Sequence, residues 1–337
     1  MELVAALQFR VVWRYMAALS DSPLARIVDL RQLRGGDLDL LLAEETSTWL
    51  ETLNWDFRAS AGLVRRFLEM QALNGSALVM NGYPVGYCYF VSEERKGLIG
   101  DLYVMKEFLT PDNEAALLES VVGRLMATAF VKRIESQLMM LRSGATLALP
   151  RREFVRTFLR TFMEIDLALA EGLPARKLTP AVLIDGWTER RQDDAGGLIA
   201  ESYRGHIDSE INDQYRSPGG ARRFLANIIQ YPGCGSFFQP ASFVAVDAVT
   251  GRLCGMCLSS LVNADVGHIT QVCVAHAARG TGLGYELIRR SLEALTKHGC
   301  RKASLTVTAA NTSAIDLYER MGFLKPRTFS AHVWEGF

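Results

Sequence analysis

The sequence predicts an α/β protein made of two successive domains, each with a central mixed β-sheet flanked by helices. The chain has 337 residues, which is enough for two domains of ordinary size. Apolar runs typical of strands alternate with amphipathic stretches typical of helices. The same order of elements starts twice, and the second start follows Glu171-Gly-Leu-Pro174. We therefore expect one domain over residues 1–173 and a second over residues 174–337.

The first predicted domain begins with an apolar segment, residues 1–19, which we expect to form an amphipathic helix packed on it. A short strand over residues 25–30 precedes helical segments that continue to about residue 73. Asn81-Gly82 is a strong turn signal and predicts a hairpin over residues 76–91. A strand over 97–105, a helix over 114–130 and a strand over 137–141 follow. The pattern then predicts a helix over 154–162 and a last strand to about residue 169.

The second predicted domain repeats this plan. A strand over residues 178–184 is followed by helices over 188–203 and 222–230. Thr250-Gly251 predicts the turn of a hairpin over 242–262. β-branched and small apolar residues predict a buried strand over 267–275, and helical spacing of Leu287, Leu292 and Leu295 predicts a helix over 283–298. A strand over 303–309 comes next.

A glycine-rich turn, Arg279-Gly-Thr-Gly-Leu-Gly284, joins this buried strand to the long helix. Such a turn lets a ligand approach the backbone, and the helix start offers free N–H groups at its positive end. We interpret it as a pyrophosphate site. A P-loop would need Lys-Ser or Lys-Thr after the last glycine, whereas Tyr285-Glu286 follows here. A dinucleotide fold needs G-x-G-x-x-G and a later acid, but the only acid between residues 287 and 315 is Glu293, inside the helix.

Two motifs resemble those of the GCN5-related N-acetyltransferase (GNAT) family. The family's acyl-CoA signature is matched by Val274, Arg279, Gly282 and Gly284, with His276 where proline is usual. The second motif follows about thirty residues later, in the family's order, and is matched by Asn311, Ala314, Leu317, Tyr318, Gly322 and Phe323. The C-terminal half is therefore identified as resembling a GNAT acetyltransferase domain.

The resemblance implies acetyl-CoA as co-substrate and assigns residues to it. In the family, the strand before the turn separates from its neighbour, and its backbone amides bind the pantetheine arm and polarise the thioester carbonyl. That role falls to Val272, Cys273 and Val274. The positions implied for the pyrophosphate are Arg279, Gly280, Thr281, Gly282, Leu283 and Gly284, and Asn311 is implied for the pantetheine arm.

Tyr318 matches the family's tyrosine that protonates the departing thiolate. A phenol with a pKa near 10 keeps its proton at neutral pH, which suits an acid. A core aromatic residue is the alternative interpretation. His268 lies six residues before Val274 on the same predicted strand, so an even period places both on one face. Because an imidazole is suited to accept a proton at neutral pH, His268 is a candidate general base. A structural histidine is the alternative.

The polar segment between residues 206 and 215 lies where the family builds its acceptor site. Asp208, Glu210 and Asp213 in this segment are candidates to bind a cationic amine or relay its proton. Carboxylates at such positions are also typical helix caps. We expect the acceptor to be compact and cationic before it loses its proton.

The first domain has the repeat pattern without the acyl-CoA turn. An offset of 170 residues places Val104 on Val274 and sets Leu109-Thr-Pro-Asp-Asn-Glu114 against the glycine turn. The glycines are missing, Pro111 removes an N–H group, and Asp112 and Glu114 would repel a phosphate. We therefore expect a degenerate GNAT-like domain that shapes the substrate site or is structural. This layout resembles tandem acetyltransferases of the mycothiol synthase type.

Composition excludes several classes of function. Lys plus Arg and Asp plus Glu number 37 each, so no net charge recruits nucleic acid or an anionic membrane. No apolar run is long enough for a membrane span, and residues 1–19 lack the basic start of a signal peptide. Cys254-Gly-Met-Cys257 has no partner motif, and residues three apart on a strand point to opposite faces, so we expect no metal. The six cysteines then indicate a reduced, cytoplasmic protein.

Three functional hypotheses remain open. The first is an acetyl-CoA-dependent N-acetyltransferase acting on a small amine, an amino acid or a peptide N-terminus. The second is a non-catalytic acyl-CoA-binding regulator, which Tyr318 and the intact turn disfavour. The third is an aminoacyl-transfer enzyme of the related tandem class that uses charged tRNA, which the balanced charge disfavours. The sequence fixes neither the acceptor nor the oligomeric state.

Overall fold

The computed structural model describes residues 25–144, 147–178 and 182–337, so the predicted N-terminal helix lies outside the described residues. Contacts divide the chain into two compact units. Of the described residues, those up to Glu45 belong to the first unit, together with Leu63–Ile134 and Met140–Arg152. The second unit consists of Thr46–Gly62, Glu135–Met139 and Glu153–Phe337.

The first unit has an antiparallel sheet whose strands follow one another in chain order. These strands are β1 (Arg26–Asp29), β2 (Asn74–Met80), β3 (Tyr83–Glu93) and β4 (Lys96–Val104). Between β1 and β2 the chain forms helices α1 (Asp39–Leu53) and α2 (Arg58–Glu69), and α3 (Pro111–Met126) follows β4. Leu117, Leu118 and Val121 of α3 are fully buried in this unit's core. Strand β5 (Arg133–Gln137) comes before the residues predicted for it, 137–141.

The second unit contains a mixed sheet. Its strands are β6 (Val155–Asp166), β7 (Val182–Gly186), β8 (Ser236–Phe237), β9 (Phe243–Asp247), β10 (Leu253–Asn263), β11 (Val266–Val274), β12 (Lys302–Thr308) and β13 (Leu324–Glu335). They lie in the order β13-β6-β12-β11-β10-β9-β7, with β8 beside β10. The β11–β12 pair is parallel, whereas β6 is antiparallel to both of its neighbours.

Helices cover both faces of this second sheet. They are α4 (Leu167–Ala170), α5 (Gln192–Ser202), α6 (Asp208–Ile211), α7 (Pro218–Gln230), α8 (Leu283–His298) and α9 (Thr312–Arg320). Leu287, Leu292 and Leu295 of α8 form a buried cluster with Leu305 on one face. On the other face, Leu198 of α5 and Leu225 of α7 pack with Met256. The apolar stripe of α8 is the one its helical spacing predicts.

Strand β6 corrects the prediction for residues 154–162, which are not helical. β-branched and aromatic residues make up half of Val155–Asp166, and the strand bonds to β12 on one edge and to β13 on the other. Pairing with partners more than a hundred residues away therefore decides this conformation, which local spacing does not reveal. Because β6 packs in the second unit, the compact units do not follow the boundary expected at residue 173.

The two units share one irregularity at matching positions. In the β3–β4 pair the register shifts between Tyr89 and Phe90, which leaves Gly100 as an extra residue on β4. In the β10–β11 pair it shifts between Leu258 and Ser259, which leaves Thr270 as an extra residue on β11. These two bulged residues are 170 positions apart, the offset that aligns Val104 with Val274. The repeat seen in the sequence is thus also a repeat of backbone geometry.

A second register shift affects the cysteines of β10. The pairing of β9 with β10 slips between Leu253 and Gly255, so Cys254 and Cys257 pack in the same apolar cluster rather than on opposite faces. Burial raises the pKa of both thiols. Among the described residues, no group of His, Cys, Asp and Glu side chains has a metal-binding arrangement. Within the same ranges, no helix has the length and apolar character that a membrane crossing requires.

Candidate active site

A cavity of about 870 Å³ opens in the second unit where β11 and β12 separate. The parallel pairing joins residues 266–269 to residues 302–305 and stops there. Beyond that point the two strands line opposite walls of the cavity, β11 with residues 270–274 and β12 with residues 305–307. The split leaves backbone groups of β11 without a neighbouring strand on that edge, so they are accessible to a ligand.

The peptide groups of Val272 and Val274 face this opening. Ala275 donates its N–H to the carbonyl of Cys254 on β10, at 2.9 Å. Since successive peptide groups of a strand point to opposite edges, those of residues 274 and 272 point away from β10. The carbonyl of Val272 accepts a hydrogen bond from the Tyr203 hydroxyl at 3.2 Å, which agrees with that direction. Of the three predicted backbone groups, Cys273 N–H therefore faces β10, while its side chain lines the cavity.

The glycine turn closes one end of the cavity. Gly280 and Gly282 have φ values of 76° and 87°, in the left-handed region that favours glycine. Helix α8 starts after Gly282, and Glu286 is the first residue to donate its N–H to the turn, at Gly282 O. The N–H groups of Leu283, Gly284 and Tyr285 therefore belong to the open end of the helix. The turn's cavity-lining residues are Arg279, Gly280, Gly282, Leu283 and Gly284.

Two predicted residues of the turn are engaged within the protein. The Thr281 hydroxyl donates to Ala278 O at 2.7 Å, and Thr281 is not among the cavity-lining residues. The Arg279 guanidinium donates to Ser202 O at 2.7 Å. These two bonds fix the shape of the turn and tie it to the end of α5.

Arg176 adds positive charge beside the turn. Its guanidinium lies 4.8 Å from the centre of the Tyr285 ring, and a Cβ on Gly282 would lie 3.2 Å from its Cδ. The backbone N–H of Arg176 donates to Glu286, which is buried at the start of α8. Burial alone would raise the pKa of Glu286, but hydrogen bonds from Arg289, the Arg176 backbone and Arg290 lower it to about 2. The negative charge of the buried Glu286 carboxylate is thus balanced by Arg289 and Arg290.

Tyr318 and Asn311 both line the cavity. Tyr318 is 6% exposed, and burial raises the pKa of its phenol; Cys257 and Asp208 add to this rise, and Arg160 opposes it. The phenol therefore keeps its proton at neutral pH. Within the described residues, its hydroxyl makes no hydrogen bond, so the proton is free to be donated to a ligand. Asn311 also caps α9, because its Oδ1 accepts the N–H of Ala314 at 3.3 Å.

The wall of the cavity opposite the glycine turn contains Asp208, one of the three carboxylates predicted to bind the acceptor. Its Oδ1 accepts hydrogen bonds from Arg160, at 3.1 Å, and from the Thr308 hydroxyl. The His206 ring nitrogen Nδ1 lies 3.6 Å from the other oxygen, Oδ2. Arg160, His206 and Asp208 all line the cavity.

The other two carboxylates lie outside the cavity lining. Glu210 is paired with Arg156 at 2.9 Å and is 41% exposed. The backbone N–H of Asp213 donates to Glu135 at 3.0 Å. Helix α6 is a single turn of four residues, and residues two apart on a helix do not share a face, so Asp208 and Glu210 point in different directions.

His268 lies in the core and is not among the cavity-lining residues. Its Nδ1 is 2.8 Å from the Ser304 hydroxyl, and its ring is 5.0 Å from that of Trp55. Burial lowers its pKa to about 4. The bulge at Thr270 explains the difference from prediction. Ile269, Val272 and Val274 share one apolar cluster, so the bulge reverses the alternation that would have placed His268 on the face of Val274.

Sequence reasoning missed a layer of aromatic and amide side chains beside Asp208. Tyr203 and Tyr215 are stacked with their ring centres 4.5 Å apart, and Gln271 bonds to both hydroxyls, at 2.9 and 3.1 Å. His206 meets Tyr203 edge to face. Nothing in the local sequence distinguishes these residues from core positions, and Arg160 and Arg176 lie outside both motifs. Only the alternation of β11, corrected for its bulge, points to Gln271.

Comparisons with known proteins agree with this geometry. Residues 204–323 match the family model described as Acetyltransferase (GNAT) family. A mycothiol acetyltransferase of Gordonia bronchialis is 28% identical over 165 residues, which are 49% of this chain and 51% of that protein. The N-alpha-acetyltransferase MAK3 of Arabidopsis thaliana is 33% identical over 70 residues, 21% of this chain and 37% of that protein. The match thus spans about half the length of the mycothiol acetyltransferase and less than half the length of the N-alpha-acetyltransferase.

Solved structures match nearly the whole chain. A GCN5-related N-acetyltransferase from Sphaerobacter thermophilus has a TM-score of 0.65 at 20% identity, and the match covers 94% of this chain and 97% of that one. A tandem GNAT protein from the clavulanic acid biosynthesis pathway has a TM-score of 0.56 at 16% identity, covering 92% and 98%. The predicted fold of two tandem GNAT-like domains is confirmed.

Proposed function

Because this chain belongs to the GNAT family of acetyltransferases, we propose that it transfers an acetyl group from acetyl-CoA to a primary amine, within the second unit. The observation that carries the proposal is the cavity at the β11–β12 split. One cavity is lined by the glycine turn, by Tyr318 and by Asp208. An anion site, an acid and a carboxylate for an ammonium group thus surround one space.

The glycine turn and its cations suit the pyrophosphate of acetyl-CoA. The free N–H groups at the start of α8 donate to phosphate oxygens, and the helix dipole favours the negative charge there. Arg176 and Arg320 add positive charge on the cavity wall. The pantetheine arm then extends along the edge of β11 that has no neighbouring strand, toward Val272 and Val274.

The chemistry is direct attack in a ternary complex. The amine nitrogen attacks the thioester carbon, a C–N bond forms, and the C–S bond breaks. Backbone N–H groups at Val272 and Val274 stabilise the negative charge that builds on the carbonyl oxygen. The leaving thiolate takes the phenolic proton of Tyr318. Because burial raises the pKa of Tyr318, the phenol keeps its proton until the thiolate forms, which suits it to this step.

The acceptor is a small amine, an amino acid or a peptide N-terminus. Asp208 provides a carboxylate 14% exposed at the cavity wall, where it attracts an ammonium group. The names of the matched relatives, a mycothiol acetyltransferase and an N-alpha-acetyltransferase, are consistent with amine acceptors of different size. The stacked Tyr203 and Tyr215 limit the acceptor's width on one side.

The first unit contributes no second acetyl-CoA site in this proposal. Helix α3 begins with Pro111, and the Thr110 side chain already accepts the N–H of Asn113 at 3.2 Å. Glu114, in the first turn, accepts the N–H groups of Arg142 and Ser143. A capped helix start with a carboxylate beside it does not attract a phosphate.

A screen of primary amines with acetyl-CoA tests the proposal. Small amines, amino acids and short peptides are incubated with the full chain, and both free CoA and acetylated product are measured by mass spectrometry. Product above the level of the Tyr318→Phe variant supports acetyl transfer. Acetyl-CoA binding without product from any amine class would instead favour the non-catalytic regulator.

A further inference from the structure

The orientation of the His206 ring is fixed by its own turn of the chain. Its Nδ1 accepts the backbone N–H of Asp208 at 3.2 Å. The backbone of His206 is held as well, because its N–H donates to Tyr203 O at 3.0 Å and its carbonyl accepts the Ser209 hydroxyl at 2.7 Å. The ring of Tyr203 packs edge to face against the imidazole, with the ring centres 5.3 Å apart. These contacts hold the ring in one position in the cavity wall.

The bond from the Asp208 backbone also fixes the tautomer of His206. Nδ1 accepts a proton donor and so keeps its lone pair, and a neutral imidazole must then carry its proton on Nε2. Burial lowers the pKa of His206 and Asp208 raises it, while Arg279 and His276 lower it further, so the ring is neutral near pH 7.

The Nε2–H group of His206 is a donor without a partner. It makes no hydrogen bond to any residue that the structure describes. His206 lines the cavity, and 24% of its side chain is exposed. Because the two nitrogens lie on opposite sides of the ring, an imidazole anchored at Nδ1 presents Nε2–H to the cavity.

Asp208 offers the complementary group, an acceptor without a partner. Its Oδ1 already accepts hydrogen bonds from Arg160, at 3.1 Å, and from the Thr308 hydroxyl. Its Oδ2 lies 3.6 Å from His206 Nδ1, which has no proton to give it. Across the described ranges of the chain, no other donor bonds to Oδ2. One free carboxylate oxygen and one free N–H group therefore lie close together on the cavity wall.

We propose that this pair recognises a primary amine with an oxygen on the neighbouring carbon, Asp208 Oδ2 binding the ammonium group and His206 Nε2–H donating to the oxygen. The inference rests on the proposed acetyl transfer and narrows its acceptor to 1,2-amino alcohols and α-amino carbonyl compounds, which include peptide N-termini. Nε2 is only one ring-width further from Oδ2 than Nδ1 is, so polar atoms on adjacent carbons reach both groups. His206 is thus a specificity-determining residue.

A simple alkylamine satisfies only half of this pair. Its carbon chain covers the Nε2–H group of His206 without accepting from it, and a donor taken from water without a new partner costs free energy. An oxygen at that place replaces the hydrogen bond to water. Because the ring is partly exposed, we expect a preference of about tenfold, well below the 10⁴-fold or more of sites that enclose a substrate hydroxyl completely.

Nuclear magnetic resonance on the full chain tests the donor without any ligand. The five histidines are labelled with ¹⁵N, and His206 is assigned by its loss in His206→Phe. We expect the neutral ring of His206 to carry its proton on Nε2 near pH 7. A neutral ring protonated on Nδ1 would overturn the proposal, because Nε2 would then have no proton to donate.

Kinetics with two matched pairs of amines test the specificity. Ethanolamine is compared with propylamine, and glycinamide with isobutylamine, so that each pair keeps its shape and differs in the oxygen. The wild-type kcat/KM should favour the oxygen-bearing amine of a pair by about tenfold. His206→Phe should abolish this preference, and His206→Gln, whose side-chain amide can donate, should restore part of it. The pair with the larger preference distinguishes a hydroxyl from a carbonyl acceptor.

The comparison between enzymes separates recognition from a structural effect. The intrinsic reactivity of each amine is the same in every variant, so it cancels from the change in preference. A purely structural role of His206 would lower kcat/KM for both amines of a pair alike, and an unchanged preference in His206→Phe would contradict the proposal. His298→Phe, at the exposed end of α8, is the matched control and should keep the wild-type preference.

Asp208→Asn tests the other half of the pair. It should raise KM for all four amines, because the charge that binds the ammonium group is removed, and it should keep the preference for oxygen, because the backbone N–H that fixes His206 remains. Equal kcat/KM within both pairs, or acetylation of a larger primary amine and of none of these four, would overturn the inference and leave acetyl transfer standing. Absence of product from every amine class would instead contradict the proposed function.

Discussion

The Tyr203 hydroxyl donates a hydrogen bond to the backbone carbonyl of Val272 at 3.2 Å. This bond connects the end of α5 to the strand edge where the thioester is proposed to lie. The same hydroxyl accepts a bond from Gln271 Nε2, so one side chain links the acceptor side of the cavity to the backbone of β11. We therefore expect acceptor binding and thioester position to be coupled through Tyr203.

Tyr203→Phe should raise the KM for the acceptor and lower kcat moderately. The change removes the bond to Val272 and leaves Gln271 Nε2 without its partner, at a cost of about 1 kcal/mol in the free energy of unfolding. Steady-state kinetics and chemical denaturation measure the two effects. Tyr231→Phe, an exposed tyrosine after α7, is the control and should alter neither. Unchanged kinetics in Tyr203→Phe would contradict the coupling.

Tyr318→Phe should retain acetyl-CoA affinity and lose turnover by about 10²–10⁴-fold. The phenolic proton matters only when the thiolate leaves, and the aromatic ring that packs beside Phe323 is kept. Calorimetry measures the affinity and single-turnover kinetics the chemical step. Wild-type turnover in this variant would exclude Tyr318 as the acid.

Gly282→Asp should weaken acetyl-CoA binding at least about tenfold, or 1.4 kcal/mol. The new carboxylate would lie at the anion site, and a φ of 87° strains any residue with a Cβ. Gly251→Asp is a matched control, because Gly251 also has a positive φ, 69°, with open space around it in the β9–β10 hairpin. Backbone strain alone would lower the stability of both variants, whereas a loss of acetyl-CoA affinity is expected only in Gly282→Asp.

Calorimetry of the wild-type chain should give one acetyl-CoA site. Only the second unit has the glycine turn, whereas Thr110 caps the helix that follows in the first. Two equivalent sites per chain would contradict the interpretation of the first unit as degenerate.

The sequence was sufficient to predict those elements whose conformation depends only on residues close to them in the chain. The glycine turn, α8, Tyr318 and Asn311 fall within one short stretch, and each needs only its neighbours in the chain to adopt its conformation. Backbone freedom at Gly280 and Gly282 and the apolar stripe of α8 follow directly from residue types. These elements also give the family resemblance, and the structure places them around one cavity.

Apart from Asp208, much of the opposite wall of the cavity could not be predicted, because it depends on long-range pairing. Arg160 reaches the site only because β6 inserts between β12 and β13, a pairing that residues 154–162 do not encode locally. His268 lies where β11 is still paired with β12, whereas Gln271 lies beyond that pairing and beyond the bulge at Thr270, and lines the cavity. A single-residue irregularity is invisible to a period-two argument.

The first unit contains a buried acid pair that makes its stability depend on pH. Asp101 is 5% exposed and Glu45 fully buried, and Tyr87 donates its hydroxyl to Glu45 at 2.8 Å. Burial raises the pKa of Asp101 to about 6, although hydrogen bonds from Glu45 and the Leu102 backbone act in the opposite direction. An offset of 170 aligns Asp101 with Gln271, which carries a neutral amide.

Asp101→Asn should therefore stabilise the chain above about pH 6. A carboxyl whose pKa is higher in the folded state than the ordinary 3.8 binds its proton more tightly when folded, so its contribution to stability is lost as pH rises from about 4 to about 6. A neutral amide avoids that loss. We expect a gain on the order of 1 kcal/mol at pH 7.5, or about 2–4 °C in the unfolding midpoint, and no gain at pH 4. Thermal unfolding at several pH values measures this, with the exposed Asp185→Asn as control. A variant less stable than wild type at pH 7.5 would show that the charged carboxylate is needed in the fold.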